Sequence, residues 1–249
     1  MKFLRFFRLV LGFLGVLTFS SPVLAEDNEF TLRVATMDLP PYGWKDETGQ
    51  FRGIIYDMAQ EMAVRSGLRF VHKIYPFNRM LKLLKAGKID ILSSQPHQKA
   101  LDAGNQLAVQ FNIDVIAATK KGSRIDRIED FRGKNLIYHH GASYKQLDGV
   151  PEKVDYVKSY EEALTRLYKR DKWSGAVFSE PAYYFFMKNL ELSPGDFGKI
   201  VTIEQNKEQW MFVRRGLPDD VRENLKSIVE DMNREGVFSQ LMTKYGKPE

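Results

Sequence analysis

Two groups of residues in this 249-residue chain stand where a protein can hold a small molecule. The loop Pro40-Pro41-Tyr42 comes soon after a predicted strand, Leu32–Thr36, and Glu180 comes soon after another, Ala176–Phe178. Open α/β sheets bind small ligands in the crevice beyond the carboxyl ends of their strands. The positions of Tyr42 and Glu180 therefore predict a ligand-binding site at such an edge.

The sequence offers little for chemistry other than binding. His139 and His140 are neighbours, but no third residue follows at a spacing typical of zinc sites, so we predict no metal. The sequence has no glycine-rich phosphate-binding loop and no cysteine. No nucleophile with a matching base accompanies Glu180 in the sequence either. We therefore expect no cofactor and no catalysis.

Helix and strand patterns alternate along the chain, and this alternation predicts an α/β fold with mostly parallel strands. The predicted helices are Ile54–Ser66, one from Phe77 that stops before Gly87, one after a Ser159 cap, one after Pro218, and Val237–Lys244. The predicted strands are Leu32–Thr36, Phe70–Tyr75, Ile89–Ser93, Val115–Thr119, Asn135–Tyr138, Ala176–Phe178 and Trp210–Val213.

Two polar turns divide the chain into an outer part and a middle segment. They cover residues 120–124 and 204–208, and neither adjoins a low-complexity linker. Two edges around one middle segment predict a lobe inserted into another, with the chain crossing a hinge twice.

The first 25 residues have the three-part pattern of a cleavable secretory signal. A short basic segment precedes an apolar run of 11 residues, Leu9–Phe19, and Val23 and Ala25 occupy the small-residue positions of a cleavage site. A membrane anchor is the alternative, but crossing a bilayer takes about 20 apolar residues. We predict cleavage after Ala25. Because no cysteine follows to carry a lipid, we expect a periplasmic protein that is free in solution.

The charge balance excludes one class of partner. Three of the 37 basic residues lie in the predicted leader, so the remaining chain has 34 basic and 32 acidic residues. Proteins that bind nucleic acid carry a basic patch or a strongly positive domain. The even balance, without a basic run interleaved with aromatics, predicts no nucleic-acid partner.

Several short motifs together resemble a known family. In chain order they are Val34-Ala35-Thr36 before Pro41-Tyr42, Gly53-Ile54-Ile55-Tyr56-Asp57-Met58, Gly87-Lys88-Ile89-Asp90-Ile91, Ile128-Glu129-Asp130-Phe131-Arg132-Gly133-Lys134-Asn135 before Gly141-Ala142-Ser143, and Gly236-Val237-Phe238 with Lys244-Tyr245-Gly246. In this order and spacing the chain resembles the extracellular solute-binding proteins of family 3. These are the type II periplasmic binding proteins associated with polar amino-acid importers, and the resemblance covers nearly the whole chain after the leader.

The resemblance implies an α/β fold of two lobes that close around a cleft like a hinge. The first lobe would comprise residues 26–113 and 206–249, and the second would comprise residues 114–205. Such a protein would bind a small polar solute, would be a monomer, and would dock on the membrane permease of an ABC importer.

The family usually holds an α-amino acid with an Arg on the carboxylate, an acidic side chain on the ammonium group, and aromatic side chains around the rest. By this resemblance Phe77 stacks on the solute, Tyr42 lines the cleft from the first lobe, and Glu180 replaces the usual Asp beside the ammonium group. Alternatively, Phe77 is a core residue beside Met80, because an aromatic side chain suits both places, and Tyr42 packs on Trp44.

Ser94, Gln95 and His97 match a loop that offers hydroxyl and backbone contacts to the ligand. The family's Arg is expected a few residues later, near Asp102, and is missing. Lys does not reproduce the planar, bidentate grip of Arg on a carboxylate. Arg79 is either a substitute that reaches the cleft or a solvated helix charge. The missing Arg favours a solute other than a standard α-amino acid.

Gly141-Ala142-Ser143 matches the turn of the second lobe in which backbone N–H groups and a hydroxyl face an anion at a helix start. The alternative is an ordinary strand-to-helix turn in which Ser143 is the N-cap. The two roles are compatible, so Ala142 and Ser143 complete the predicted site.

Two other functions stay open on the sequence alone. A sensory receptor of the same fold would bind its solute in the same way and dock on a membrane kinase or cyclase. A few relatives of this fold are periplasmic dehydratases that use a cleft carboxylate as a general acid, and Glu180 is the candidate for that role. We predict a receptor rather than an enzyme.

Overall fold

A mixed eight-stranded sheet organises residues 30–248, the part of the chain that the computed structural model describes. The predicted leader, residues 26–29 of the predicted first lobe, and residue 249 lie outside the described residues. The strands are β1 (Thr31–Met37), β2 (Trp44–Lys45), β3 (Phe51–Arg52), β4 (Arg69–Tyr75), β5 (Ile91–Ser94), β6 (Asn105–Lys120), β7 (Asn135–His139), β8 (Lys153–Val157), β9 (Gly175–Ser179) and β10 (Phe197–Val213). The helices are α1 (Ile54–Ser66), α2 (Phe77–Lys85), α3 (Gln98–Ala103), α4 (Tyr160–Lys169), α5 (Glu180–Asn189), α6 (Asp219–Arg234) and α7 (Val237–Lys244).

The sheet is parallel on its flanks and antiparallel at its centre. Its strand order is β4-β1-β5-β10-β6-β9-β7-β8, and β2 and β3 form a separate hairpin. Strand β1 is parallel to β4 and β5, and β7 is parallel to β8 and β9. The long strands β6 and β10 are antiparallel to each other and to β9 and β5. The predicted parallel strands are therefore confirmed on both flanks but not at the centre.

Each long strand belongs to both flanks. Strand β5 pairs with the end of β10, Trp210–Val213, whereas β9 pairs with the end of β6, Val115–Thr119. We define the first unit as β4-β1-β5 with residues 105–113 and 207–213, and the second unit as β9-β7-β8 with residues 115–120 and 197–204.

Both long strands pass from one unit to the other near Asp114 and Asn206. The β6–β10 register shifts between Thr202 and Glu204 and again between Glu204 and Lys207, and Asn206 has a left-handed φ of 52°. The Asn206 N–H donates to Asp114 Oδ1 at 2.9 Å. Such irregularities bend a strand pair locally. This crossing supports lobes of residues 26–113 with 206–249 and of residues 114–205, and those limits stay a prediction.

Each unit has its own apolar core on both faces of the sheet. In the first unit, α1, α6 and α7 pack around Met58 on one face, and α2 and α3 pack around Leu84 on the other. In the second unit, α4 and α5 pack around Leu164, and the loops on the opposite face pack around Phe131. Separate cores of this kind let two units move as bodies. No helix within residues 30–248 is both long and apolar enough to cross a bilayer.

The start of α1 holds the loop that carries Tyr42. The N–H groups of Ile54 and Ile55 donate to the carbonyl oxygens of Pro41 and Tyr42, at 2.9 and 3.0 Å. The first N–H groups of a helix lack partners inside the helix, and here the loop supplies them. Gly53 has a φ of 126°, and a Cβ there would lie 2.5 Å from the Tyr42 carbonyl oxygen. Only glycine therefore lets the loop lie against α1.

Asp90, from the Gly87–Ile91 motif, joins the strands of the first unit. Its carboxylate accepts from the Arg33 backbone N–H at 2.8 Å, from Arg33 Nε at 2.7 Å, and from the Arg214 guanidinium. Burial disfavours the ionised form of Asp90, but these hydrogen bonds outweigh it and lower its pKa. The motif thus supports the fold through a buried ion-pair cluster.

Candidate functional site

All nine predicted site residues lie at or beyond the carboxyl ends of sheet strands. They follow β1 (Tyr42), β4 (Phe77, Arg79), β5 (Ser94, Gln95, His97), β7 (Ala142, Ser143) and β9 (Glu180). The strands concerned are parallel within each unit, so their carboxyl ends share one edge of that unit. The topology therefore offers one set of candidate ligand contacts from each unit.

Four of these residues come together in the first unit. The Phe77 and His97 rings meet edge to face with centroids 5.6 Å apart, and the Ser94 hydroxyl donates to the Gln95 carbonyl oxygen at 2.9 Å. His97 also caps α3, because its Nδ1 accepts from the Ala100 N–H at 3.3 Å. Burial and, secondarily, Lys99 lower the pKa of His97. The group therefore offers an aromatic ring and uncharged polar atoms at pH 7.

Arg79 points elsewhere on α2. Its guanidinium lies over the Tyr75 ring, 5.0 Å from the centroid, and the residue is exposed. Residues two apart on a helix do not share a face, so Arg79 and Phe77 project in different directions. The structure favours the solvated-charge alternative for Arg79 over a role as substitute for the missing Arg.

Tyr42 lies at the junction of the two units. Its side chain is 6% exposed, and Ser179 at the end of β9 is equally buried. Within residues 30–248 neither hydroxyl makes a well-formed hydrogen bond, although the Ser179 hydroxyl lies close enough to Tyr42 and to Tyr160 to interact with both. A buried hydroxyl without a partner costs about 1–3 kcal/mol.

Two further tyrosines surround this pair. Burial raises the pKa of Tyr42, of Tyr144 and of Tyr160, and the nearby Tyr160 phenol raises the pKa of the other two further. The three phenols are therefore uncharged at pH 7. Each of them can donate or accept a hydrogen bond. The junction is rich in neutral hydroxyl groups.

Ala142 and Ser143 lie in a turn that does not lead into an α-helix. The Ala142 N–H donates to the His139 carbonyl oxygen at 3.0 Å, and only a short 3-10 turn, Lys145–Leu147, follows. The residue before that turn is Tyr144, and Ser143 is exposed. The predicted helix start is therefore wrong, because the chain turns again at Gly149, where φ is 70°. The turn lacks the aligned dipoles that make a helix N-terminus an anion site.

Glu180 is the first residue of α5 and already has a cationic partner. Its Oε1 lies 2.9 Å from Nζ of Lys247, near the end of the chain. Both residues border a groove of about 670 Å³ beside the strand crossing, which Asp114 and Asn206 also line. None of the other eight predicted site residues lines this groove. Glu180 is thus placed between the junction and the groove.

Among residues 30–248, no group of three His, Asp or Glu side chains is arranged to hold a metal ion. The His139 Nε2 atom lies 3.1 Å from the Lys158 carbonyl oxygen, and its ring contacts Tyr160.

Sequence reasoning missed Ser179, Tyr144, Tyr160 and Lys247. Ser179 carried a usable signal, because it directly precedes Glu180 at the end of a buried strand. Tyr160 follows the Ser159 cap at a position that helical spacing assigns to the core. Lys247 had no local signal, since its ion pair with Glu180 joins distant parts of the chain.

Comparisons with known proteins agree with this architecture. A sequence model of the bacterial extracellular solute-binding proteins, family 3, matches residues 32–248. The chain is 21% identical over 236 residues to YxeM of Bacillus subtilis, a probable amino-acid-binding protein. That match covers 88% of this chain and 85% of YxeM.

Solved structures share the fold. An ancestral arginine-binding protein bound to glutamine is 25% identical with a TM-score of 0.65, over 86% of this chain and 97% of that protein. The substrate-binding protein of an amino acid ABC transporter is 16% identical with a TM-score of 0.65, and the match covers 87% of this chain and 99% of that protein. These likenesses confirm the predicted two-lobed α/β fold. Because the family match spans nearly all of residues 30–248, the chain belongs to the bacterial extracellular solute-binding proteins of family 3.

Proposed function

We propose that this protein captures a small polar solute, amino-acid-like or related to amino acids, and delivers it to the membrane permease of an ABC importer. One observation carries the proposal: Tyr42 and Ser179 bring two buried hydroxyls together from opposite units. A solute between the units would hydrogen-bond to both. It would thereby favour the arrangement in which the units are closed.

The relatives and the first-unit group support the solute class. One relative is a probable amino-acid-binding protein, and one structural neighbour is the substrate-binding protein of an amino acid ABC transporter. Phe77, Ser94 and His97 add an aromatic face and neutral polar atoms, which suit a small polar solute. ATP hydrolysis would belong to other subunits of the importer.

The protein is proposed to bind its solute without transforming it. If the protein were a dehydratase, Glu180 would have to be its general acid. The Glu180 carboxylate is instead held in an ion pair with Lys247. Incubation of the pure protein with prephenate-like acids should leave them unchanged. Formation of a dehydrated product would contradict this proposal.

The working protein is proposed to be a periplasmic monomer without a lipid anchor. The support is the leader pattern of residues 1–25, with no cysteine after it. Mass spectrometry of the protein from a periplasmic extract should find Glu26 as its first residue. Recovery of the intact chain from the cytosol would contradict the proposed location.

A thermal-shift screen of amino acids, amines, polyamines and small carboxylates tests the receptor function. A solute that binds only the folded protein raises its melting temperature. For the solute found, Tyr42→Phe and Ser179→Ala should each weaken binding about fivefold, because each removes one hydrogen bond of about 1 kcal/mol. Titration calorimetry measures the change.

Tyr183→Phe is the matched control, because Tyr183 is a buried tyrosine inside the second-unit core. It should leave the affinity unchanged. Equal affinities for wild type, Tyr42→Phe and Ser179→Ala would show that the junction is not the binding site.

A further inference from the structure

The C-terminal tail crosses from the first unit to the second. After α7, the Tyr245 hydroxyl donates to Asp57 Oδ2 at 2.9 Å and accepts from the Gly53 N–H at 3.0 Å, both in the first unit. The Tyr245 ring contacts Trp44, with centroids 5.7 Å apart, and Phe185 of α5 in the second unit, at 6.4 Å. Tyr245 is thus held from both sides of the junction.

Gly246 brings the tail against the backbone of α5. Its φ is 124°, and a Cβ at this position would lie 2.9 Å from the Tyr184 carbonyl oxygen. Glycine therefore permits an approach that other residues would block. This close approach places the next residue, Lys247, beside Glu180. The Lys247 Nζ atom lies 2.9 Å from Glu180 Oε1.

The ion pair places a positive charge directly against the Glu180 carboxylate. The Glu180 side chain is 21% exposed and the Lys247 side chain 40%. Glu204, whose negative charge contributes to the raised pKa of Tyr144, pairs with Lys207 at 2.8 Å. The hydroxyls of Ser179 and the three tyrosines beside the pair are neutral. Asp114, which lines the groove with Glu180 and Lys247, accepts from the Asn206 N–H.

We propose that Lys247 is a specificity-determining residue that neutralises Glu180 from within the chain, so that the solute presents an uncharged hydrogen-bonding group at this end. The inference rests on the proposed solute-binding function. An ammonium group that loses its hydration on binding needs a carboxylate to compensate for the lost water, and the Glu180 carboxylate is already paired with Lys247. A hydroxyl needs only the neutral donors and acceptors that Tyr42 and Ser179 provide.

Matched ligand pairs test the inference in the full mature protein. L-amino acids and the L-2-hydroxy acids with the same side chains differ only in an ammonium or a hydroxyl group, and the carboxylate is common to both. By titration calorimetry, wild type should bind the hydroxy member of a pair at least about tenfold more tightly. Lys247→Met should shift that ratio at least about tenfold towards the amino member, because Glu180 loses its counter-ion.

Two further variants separate charge from tail structure. Lys244→Met removes a lysine from the same tail whose ion pair, with Asp57 at 2.6 Å, lies inside the first unit, and it should keep the wild-type ratio. Adding Glu180→Gln to Lys247→Met removes both charges and should restore the wild-type preference.

The outcomes distinguish the inference from the function on which it rests. Tighter binding of amino acids by wild type, or a ratio that Lys247→Met leaves unchanged, would overturn the inference and leave the receptor function standing. Saturable binding of neither ligand class by folded wild type would overturn the proposed function and the inference together.

Discussion

At the scale of single residues, His72 of β4 is a buried titratable group in the first unit. Its Nε2 lies 2.6 Å from Thr36 Oγ1, and its ring packs against Phe51 and Tyr56. Burial lowers the pKa of His72 from 6.5 to about 4. The native protein therefore keeps this imidazole neutral at pH values where an unfolded chain would protonate it.

This difference predicts a loss of stability in mild acid. Between about pH 6.5 and pH 4 the unfolded state binds the extra proton, so the free energy of unfolding should fall with pH by up to about 3 kcal/mol. His72→Gln should flatten that dependence. Urea denaturation at a series of pH values measures it, with the exposed His140→Gln as control. The same slope in wild type and His72→Gln would contradict the assignment.

The type of a single residue indicates only part of its role in the structure. The hydroxyl groups of Tyr42, Ser179, Tyr144 and Tyr160 show this. Tyr42 was a candidate from the sequence because a Pro-Tyr loop after a strand indicates a ligand edge. Ser179, Tyr144 and Tyr160 were not, because serine and tyrosine occur in cores and at surfaces as readily as in sites. Their grouping arises from the contact between units.

At the scale of elements, the limits of the five predicted helices followed closely from local signals, whereas α3 and α5 were not predicted. The predicted helix Ile54–Ser66 is confirmed with the same bounds, and Gly67 ends it in the left-handed conformation. The Ser159 hydroxyl accepts from the Glu162 N–H at 3.1 Å, as the cap predicted. These features depend on residues within one turn of each other.

The long strands were only half predicted. Val115–Thr119 and Trp210–Val213 are parts of β6 and β10, which have 16 and 17 residues. The part of β10 that was not predicted includes the polar residues 204–208, whose composition had indicated a turn. They form a strand because pairing with β6 satisfies their backbone groups despite the low apolar content.

The loop that carries Tyr42 predicts a sharp sensitivity at Gly53. Gly53→Ala places a Cβ against the Tyr42 carbonyl oxygen in a strained backbone conformation, and we expect a loss of about 3 kcal/mol in unfolding free energy. Gly49→Ala is the control, because its φ is also positive but a Cβ there meets open space, and it should cost about 1 kcal/mol. Urea denaturation compares the two. Equal losses would contradict the role of the close approach.

At the scale of the whole molecule, the two units meet through the strand crossing and the C-terminal tail. The crossing is irregular at Asn206 and is held by the hydrogen bond to Asp114. The Trp44 and Phe185 rings, 5.2 Å apart, add an apolar contact between the units. Movement of one unit against the other must therefore change backbone geometry near Asn206.

The crossing predicts a measurable change in shape. Asp114→Ala removes one hydrogen bond, worth about 1 kcal/mol, and should shift solute-free protein towards more open arrangements. Small-angle X-ray scattering should then report a larger radius of gyration. Asp126→Ala is the control, because it breaks only an exposed ion pair with Lys199 in the second unit. Identical radii for both variants would argue against a hinge at Asp114.

The sequence by itself determined the alternation of helices and strands, the limits of α1, α2, α6 and α7, the start of α4, the leader pattern and the motifs of the family, because each depends on neighbouring residues or on their order. The tertiary structure alone decided that Ser179 lies beside Tyr42 and that Lys247 pairs with Glu180. Those relationships join residues far apart in the chain, and they arise when two units and a tail pack together. No local pattern of charge or hydropathy encodes which buried hydroxyl or carboxylate will find its partner within the chain.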